Sequence, residues 1–301
     1  MTSLKAGPAP GAPAPRSEFA RAKVNLALHV VGQRADGYHL LDSIVAFPAI
    51  GDRLSLMEGA GLAMSVAGPF ASQLADLDPK DNLVLRAAAL TLEHAGLDPE
   101  GAGLHLRLEK SLPVASGIGG GSADAAAAIR LVCDHLGIEP DDGLRAKALK
   151  LGADVPMCLA MRPLRARGIG DDLVPLAHLP DAGILLVNPV VPVATPAIFR
   201  RLSEKSNPPI EASDGWDSYA QMIDMLCLMR NDLEGPAIAL APAIAEVLGA
   251  LRGFPDCALA RMSGSGATCF GLFETAGRAE AAAGDLRRLF PHWWVAAAAL
   301  T

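Results

Sequence analysis

The stretch LPVASGIGGGSAD, residues 112–124, is the most informative part of the sequence for the fold. It follows an alternating run, Leu104 to Leu108, that predicts a strand, and it precedes an alanine-rich run to Leu136 that predicts a helix. Without side chains, its glycines let a ligand approach the backbone and let successive N–H groups turn toward one point. The positive end of the following helix favours an anion there. The stretch therefore predicts a phosphate-binding loop, with Ser122 as the N-cap of the helix.

Two well-known phosphate-binding patterns do not match this loop. A Walker A loop has a lysine between its last glycine and the serine, whereas Gly121 is followed directly by Ser122. A dinucleotide-binding fingerprint fails at Ser122, and only Asp141 or Asp142 lies about 20 residues further on. The alternative is a glycine-rich surface turn, which is less favoured because four glycines cost backbone entropy unless something requires them.

Outward from the loop, hydrophobic periodicity predicts an α+β protein of two lobes. Residues 23–30 (KVNLALHV) alternate, which predicts a half-buried strand with Lys23 and Asn25 on its open face. We place a boundary near residue 180, between an N-terminal lobe over 18–180 and a C-terminal lobe over 181–301. Further strands are expected at 54–58, 184–187, 258–262, 268–273 and 293–297, and helices at 81–96, 144–151, 218–233, 237–251 and 278–289.

The composition is that of a core-forming globular protein, with 51% hydrophobic residues among 301. A net charge of −7 gives no reason to expect nucleic acid or an anionic membrane as partner. Five scattered cysteines without a C-x-x-C pair fit reduced thiols in a cytoplasm better than disulfides or a zinc site. Residues 1–17 lack an apolar signal segment and predict a flexible Pro/Ala-rich tail.

Three further features have chemical potential beside the glycine loop. Lys23 and Asn25 share a strand face, although a lysine at the start of a strand is usually only solvated. Asp154 lies in the turn GADVP, where its alternative role is to accept a local N–H. Residues 262–267 (MSGSGA) form either a hairpin turn or a second loop of close backbone approach. A phosphate loop, one lysine and one aspartate make a phosphoryl-transfer set, provided that they converge.

The chain also resembles a known family, the GHMP small-molecule kinases. LPVASGIGGGSADAAAA resembles their central motif and MSGSGATCFGLF their C-terminal motif. AKVNLALHVVGQRADGYHLLDSI, GADVPMC, NPVVPVATPAIF and RNDLE resemble one branch, which phosphorylates a cytidine-diphosphate-linked methylerythritol in isoprenoid precursor biosynthesis. The resemblance implies a two-lobe GHMP kinase fold. Its N-terminal lobe would be like ribosomal protein S5 domain 2, its C-terminal lobe ferredoxin-like, and the site would lie between them.

The resemblance also implies roles for individual residues. Lys23 and Asp154 are the expected catalytic pair, and the family pattern leaves open whether Asp154 takes the proton or mainly positions the hydroxyl. ATP and Mg²⁺ are the expected cofactors, and Ser122 is the candidate contact for the metal ion. Asn82 and Lys110 are expected to border the nucleotide. The ATP itself is expected to bind to the glycine loop, at Pro113, Val114, Ala115, Ser116, Gly117, Ile118, Gly119, Gly120, Gly121 and Ser122. The substrate is expected on Asn25, Tyr38, His39, Thr195 and Phe199, with Tyr38 and Phe199 stacking on the base and His39 reading its edge. Core packing is the alternative for the two aromatic residues.

Other readings are kept open. A homoserine or mevalonate kinase shares the glycine motif but does not need the base-binding slot that GYH and Phe199 suggest. A catalytically silent nucleotide-binding regulator could lose Lys23 or Asp154, and both are present. Residues 161–167 (MRPLRAR) depart from the small residues common in the family, and their arginines either hold phosphates or are solvated. The sequence is compatible with a monomer or a homodimer.

Overall fold

The computed structural model describes residues 16–211 and 214–300. Residues 1–15 of the tail predicted over 1–17 therefore lie outside the described residues. Its last two residues, Arg16 and Ser17, belong instead to the first strand, β1 (Arg16–Arg21), so the tail prediction extended two residues too far.

The first sheet and its two long helices carry the glycine loop. In the order β1-β4-β6-β5 it joins β1 to β4 (Gly51–Glu58), β6 (Leu104–Glu109) and β5 (Leu62–Ala67), with only the β5–β6 pair parallel. Helices α1 (Leu83–His94) and α2 (Gly120–Leu136) pack against each other and, through their alanine-rich faces, over this sheet. Because the alanines are short, the helices approach the sheet closely and the loop between β6 and α2 is held firmly.

The second sheet begins directly after Lys23 and carries Asn25. It has the order β2-β3-β7-β8 and is antiparallel throughout, with β2 at Val24–Gln33, β3 at His39–Ala46, β7 at Leu164–Gly168 and β8 at Asp172–Pro175. The prediction of a half-buried β2 was wrong, since Val24 to Val30 are all buried. One apolar cluster joins Leu26 and Ile44 of this sheet to Ile184 and Phe270 of the third, so the second face of β2 is covered.

The third sheet forms the C-terminal lobe. Its order is β10-β11-β9-β12, all antiparallel, with β9 at Ala182–Asn188, β10 at Leu259–Met262, β11 at Cys269–Phe273 and β12 at Trp294–Leu300. The remaining helices are α3 (Asp142–Ala148), α4 (Val155–Ala160), α5 (Thr195–Arg200), α6 (Tyr219–Leu228), α7 (Glu234–Leu240), α8 (Ala243–Arg252) and α9 (Ala276–Leu289). Within the described ranges, no helix combines the length and the apolar character that a membrane crossing requires.

Three local predictions need correction. The helix predicted over 218–233 ends at Leu228, because the next residues bond to β2 instead. The helix predicted over 237–251 is two helices that meet at Pro242, which lacks the N–H that a continuous helix needs. Ser122 is not an N-cap, since α2 begins at Gly120 and its cap is Gly119 in the left-handed conformation, with φ +63°.

Candidate active site

The glycine loop ends in the exposed first turn of α2. Gly117 (φ +77°) and Gly119 (φ +63°) have positive φ, which a side chain would strain. Gly119 and the first three residues of α2, which are Gly120, Gly121 and Ser122, all line the cleft. Free N–H groups at a helix N-terminus attract anions, so the geometry suits a phosphate.

The loop at 263–266, between β10 and β11, packs directly against the glycine loop. A Cβ on Gly117 would lie 2.6 Å from Gly266 N and Ser263 O, and one on Gly264 would lie 2.5 Å from Gly117 O. The Ser263 hydroxyl donates to Gly117 O at 3.1 Å, and Thr268 N donates to Ser116 O at 3.1 Å. The two loops predicted from glycine-rich motifs therefore form one unit, which only glycines permit.

Lys23 and Asp154 meet at the mouth of the glycine loop. Lys23 Nζ lies 3.0 Å from Asp154 Oδ2 and donates to Asn25 Oδ1 at 3.1 Å. Asp154 is the residue before α4 and makes no capping bond there, so its predicted alternative role as a local acceptor does not apply. Its side chain is 37% exposed, whereas that of Lys23 is 9% exposed. The pair thus presents an accessible carboxylate held by a nearly buried ammonium.

Asn25 is fixed from two sides. Its Nδ2 donates to Ser43 Oγ at 2.7 Å, and its backbone N donates to Ser263 Oγ at 3.0 Å. Ser43 donates in turn to Ala27 O at 2.6 Å. Sequence reasoning missed both serines as supporting residues. They lie inside the quoted motifs GYHLLDSI and MSGSGA, but nothing in the local pattern distinguishes them from other small polar residues.

A cleft of about 930 Å³ runs between the lobes and contains most of the predicted site. Fourteen predicted residues line it: Lys23, Asn25, Tyr38, His39, Ala115, Ser116, Gly117, Gly119, Gly120, Gly121, Ser122, Asp154, Thr195 and Phe199. Five lie outside the wall that the described residues form: Asn82, Lys110, Pro113, Val114 and Ile118. Ile118 is fully buried, and its carbonyl accepts from Lys23 N at 2.9 Å, so it supports the site from beneath.

Aromatic rings from both lobes meet in the cleft, Tyr38 and His39 from the N-terminal lobe and Phe199 from the C-terminal lobe. His39 and Phe199 stack with their ring centroids 4.7 Å apart, and Tyr38 is 62% exposed, so Tyr38 is not a core residue. His39 Nε2 is buried and has no hydrogen-bond partner among the described residues. Burial, and then the charge of Lys205, lower the pKa of His39, which favours the neutral ring. A neutral imidazole with one unused nitrogen suits recognition of a base edge.

Asn82 and Lys110 have structural partners instead of a place in the cleft. Asn82 caps α1 by accepting from Val84 N at 2.9 Å. Lys110 is 2% exposed and bonds to Asp52 Oδ2 at 2.6 Å and Asp124 Oδ2 at 2.7 Å. The Lys110 Nζ lies 3.2 Å from where a Cβ on Gly120 would be, directly beneath the glycine loop. Their roles beside a nucleotide stay predictions.

Burial is the largest single influence on the pKa values of both Lys110 and Asp124. It raises the pKa of Asp124 to about 7, although the Lys110 ammonium opposes the shift. Burial also disfavours the charge of Lys110, but the two carboxylates outweigh it and raise the pKa of that ammonium. Asp124 Oδ1 is buried without a partner among the described residues, so ionising this carboxyl is costly.

The arginines of 161–167 do not line the cleft formed by the described residues. Arg165 forms a two-pronged pair with Asp42 at 2.7 and 2.6 Å, and Arg167 pairs with Asp172 at 2.8 Å. Arg162 is exposed. Arg165 and Arg167 therefore tie β7 to β3 and to β8.

The oxygen donors suit a magnesium ion that arrives on a nucleotide. Within residues 16–211 and 214–300, no three His, Cys, Asp or Glu side chains cluster in a way that would hold a metal. The hydroxyl of Ser122 and the carboxylate of Asp154 face the same cleft. Mg²⁺ commonly binds through one or two protein oxygens together with substrate phosphates and water, which this sparse set allows.

Comparisons with known proteins agree with this geometry. Residues 82–161 match the family model of the GHMP kinases N terminal domain, and residues 215–292 match that of the GHMP kinases C terminal domain. The chain is 52% identical over 298 residues to a 4-diphosphocytidyl-2-C-methyl-D-erythritol kinase of Dinoroseobacter shibae, covering 98% of each chain.

Solved structures extend the comparison to the fold. A 4-(cytidine 5'-diphospho)-2C-methyl-D-erythritol kinase superposes with a TM-score of 0.76 at 36% identity, covering 95% of this chain and 99% of the other. A homoserine kinase of Cytophaga hutchinsonii superposes with a TM-score of 0.60 at 19% identity, covering 100% and 96%. At that identity, the second match shows the fold alone.

Proposed function

This chain belongs to the GHMP kinases, and within them to the 4-diphosphocytidyl-2-C-methyl-D-erythritol kinases, and from that premise we infer its reaction. The chain phosphorylates the 2-hydroxyl of 4-diphosphocytidyl-2-C-methyl-D-erythritol. The product is the 2-phosphate, an intermediate of isoprenoid precursor biosynthesis. The observation that carries the inference is the Lys23–Asp154 pair, 3.0 Å apart, between a glycine loop and an aromatic slot in one cleft.

We propose Mg–ATP as the phosphate donor. The triphosphate would rest on the N–H groups of the glycine loop and the first turn of α2, with Ser122 as a protein oxygen for the magnesium ion. The ion would neutralise charge on the phosphates during transfer. Lys23 stabilises the charge that develops at the reacting phosphoryl group, and Asn25 keeps its ammonium in place.

Asp154 is proposed to orient the 2-hydroxyl and to accept its proton as the new bond to phosphorus forms. Its carboxylate is 37% exposed and is held 3.0 Å from the Lys23 ammonium, so it is both accessible to a hydroxyl and fixed in place. The cytosine would lie against the aromatic residues Tyr38, His39 and Phe199. Arg200 and Lys205 line the same side of the cleft, and their charges suit the diphosphate of the substrate.

The cellular location follows as a proposal from the chemistry. All five cysteines are free, which suits a reducing compartment, and we propose the cytoplasm, where ATP is available. The proposal needs neither nucleic acid nor membrane as partner.

A coupled ADP-release assay with Mg-ATP tests the reaction. We expect turnover with the cytidylated substrate and none with homoserine, mevalonate or the substrate without its cytidine. Asp154→Asn should lower kcat by about 10²–10⁴-fold if Asp154 accepts the proton, and far less if it only positions the hydroxyl. Since Asp154 is partly exposed, the Tm of the Asp154→Asn variant should stay within about 2 °C of that of the wild type. Turnover with another alcohol would move the function to a sister kinase, and ATP binding without turnover would indicate a silent regulator.

A further inference from the structure

Asn231 is a buried amide whose side chain bonds to the end of β10, to the loop that follows it, and to its own segment. It is 7% exposed, and its Nδ2 donates to Met262 O at 2.7 Å and Gly264 O at 2.9 Å. Its Oδ1 accepts from Leu233 N at 2.9 Å. Asn231 is absent from the described residues that line the cleft, so it acts on the site only through its neighbours.

The residues that Asn231 holds are those that support the phosphate loop. Met262 and Gly264 begin the loop whose Ser263 bonds to both Gly117 O and Asn25 N. At Gly117 and Gly264 the two loops are so close that a single added carbon on either would collide with the other's backbone. A small displacement of 263–266 therefore moves the glycine loop or breaks its contact with Asn25.

Asn231 is itself anchored to β2, the strand that directly follows Lys23. Leu28 N donates to Arg230 O at 2.9 Å, and Asp232 N donates to Leu28 O at 2.9 Å. Asp232 Oδ2 also accepts from Val30 N at 2.7 Å. The segment 230–232 thus runs as an added strand beside β2, and the Asn231 side chain extends from it to the loop.

We propose that Asn231 is a positioning residue for phosphoryl transfer. It sets the distance between β2, which carries Asn25 and directly follows Lys23, and the paired loops that receive the triphosphate. The proposal rests on the proposed function and adds a residue that acts through loop 263–266. Two directional bonds from one rigid amide fix the loop in one register, whereas apolar packing of the same volume would not.

Two variants of nearly equal size test this proposal. Asn231→Leu removes both donors, and Asn231→Asp keeps the acceptor for Leu233 N but sets an oxygen against two carbonyls. For both we expect KM for ATP to rise about tenfold to hundredfold and kcat to fall. KM for the cytidylated substrate should change less than threefold, since the aromatic slot is held by other elements. Binding of a fluorescent ATP analogue, without turnover, should weaken in parallel.

The control is Thr91→Val, which removes a buried hydrogen bond to Ala87 O inside α1, away from both loops. Its Tm should fall while both KM values stay at the wild-type level. The proposal is overturned if the Asn231 variants lose stability as Thr91→Val does but keep their KM for ATP, or if neither variant folds. If the wild type itself fails to turn over the cytidylated substrate, the proposed function fails, and nucleotide binding by the variants still decides the role of Asn231.

Discussion

Replacing Asp52 with alanine should destabilise the lobe that holds the glycine loop. Asp52 is fully buried and accepts three hydrogen bonds, from Lys110 Nζ at 2.6 Å, Ser111 N at 2.5 Å and Leu112 N at 2.8 Å. The variant leaves Lys110 with one carboxylate and leaves two backbone N–H groups without their acceptor. Removing one partner of a buried ion pair costs about 3–5 kcal/mol. For a chain of this size, that corresponds to a fall in Tm of roughly 10 °C.

The effect should also reach the nucleotide site, because Ser111 and Leu112 lead directly into the glycine loop. We expect KM for ATP to rise in the Asp52→Ala protein that stays folded at 25 °C. Thermal and urea unfolding followed by circular dichroism give the change in stability, and the coupled assay gives KM.

The control for Asp52 is Asp172→Ala, which breaks an exposed pair with Arg167 that is 2.8 Å long. Such pairs contribute about 0–1 kcal/mol, so this variant should unfold within about 2 °C of the wild type. An Asp52→Ala protein as stable as the control would refute the reasoning that the buried cluster supports the loop.

Three further outcomes are expected. Gly117→Ala should raise KM for ATP more than tenfold, because its φ is +77° and its Cβ would meet loop 263–266 at 2.6 Å. The control is Gly284→Ala, whose Cβ would lie in open space on α9 and which should be neutral or stabilising by about 0.5–1 kcal/mol. Equal effects of Gly117→Ala and Gly284→Ala on KM for ATP would contradict the close packing of the glycine loop against loop 263–266. Burial raises the folded-state pKa of Asp124 to about 7, above its unfolded value, so folding takes up a proton and wild-type stability falls as pH rises toward 7. The difference in Tm between pH 5 and pH 8 should therefore be smaller for Asp124→Asn than for the wild type. If the two proteins show the same difference, Asp124 is not the cause of the pH dependence. Phe199→Ala should raise KM for the cytidylated substrate about tenfold, because the base loses one stacking partner, and should leave KM for ATP unchanged. A rise in KM for ATP alone would contradict the proposal that Phe199 binds the base.

Features that depend on neighbouring residues were predictable from the chain. The strand–glycine loop–helix order around 112–124 and the adjacency of Lys23 and Asn25 follow from local periodicity, and the structure has both. The local errors have local causes too. Serine favours the N-cap position, so the sequence predicts Ser122 there, but the cap is Gly119 in the left-handed conformation and the helix starts earlier.

Which distant residues meet depends on how the sheets and helices pack. No local pattern pairs Lys23 with Asp154, gives Lys110 to Asp52 and Asp124, or stacks His39 on Phe199. Buried charged and amide groups need hydrogen-bond partners, and the packing of the sheets sets which groups are close enough to supply them. Lys110 therefore bonds to two carboxylates, and Asn231 bonds to two backbone carbonyls. Local patterns were enough to predict the glycine loop between a strand and a helix, and the motifs were enough to predict the family. The order of the sheets determined the partners, because long-range contacts depend on how the apolar faces pack together.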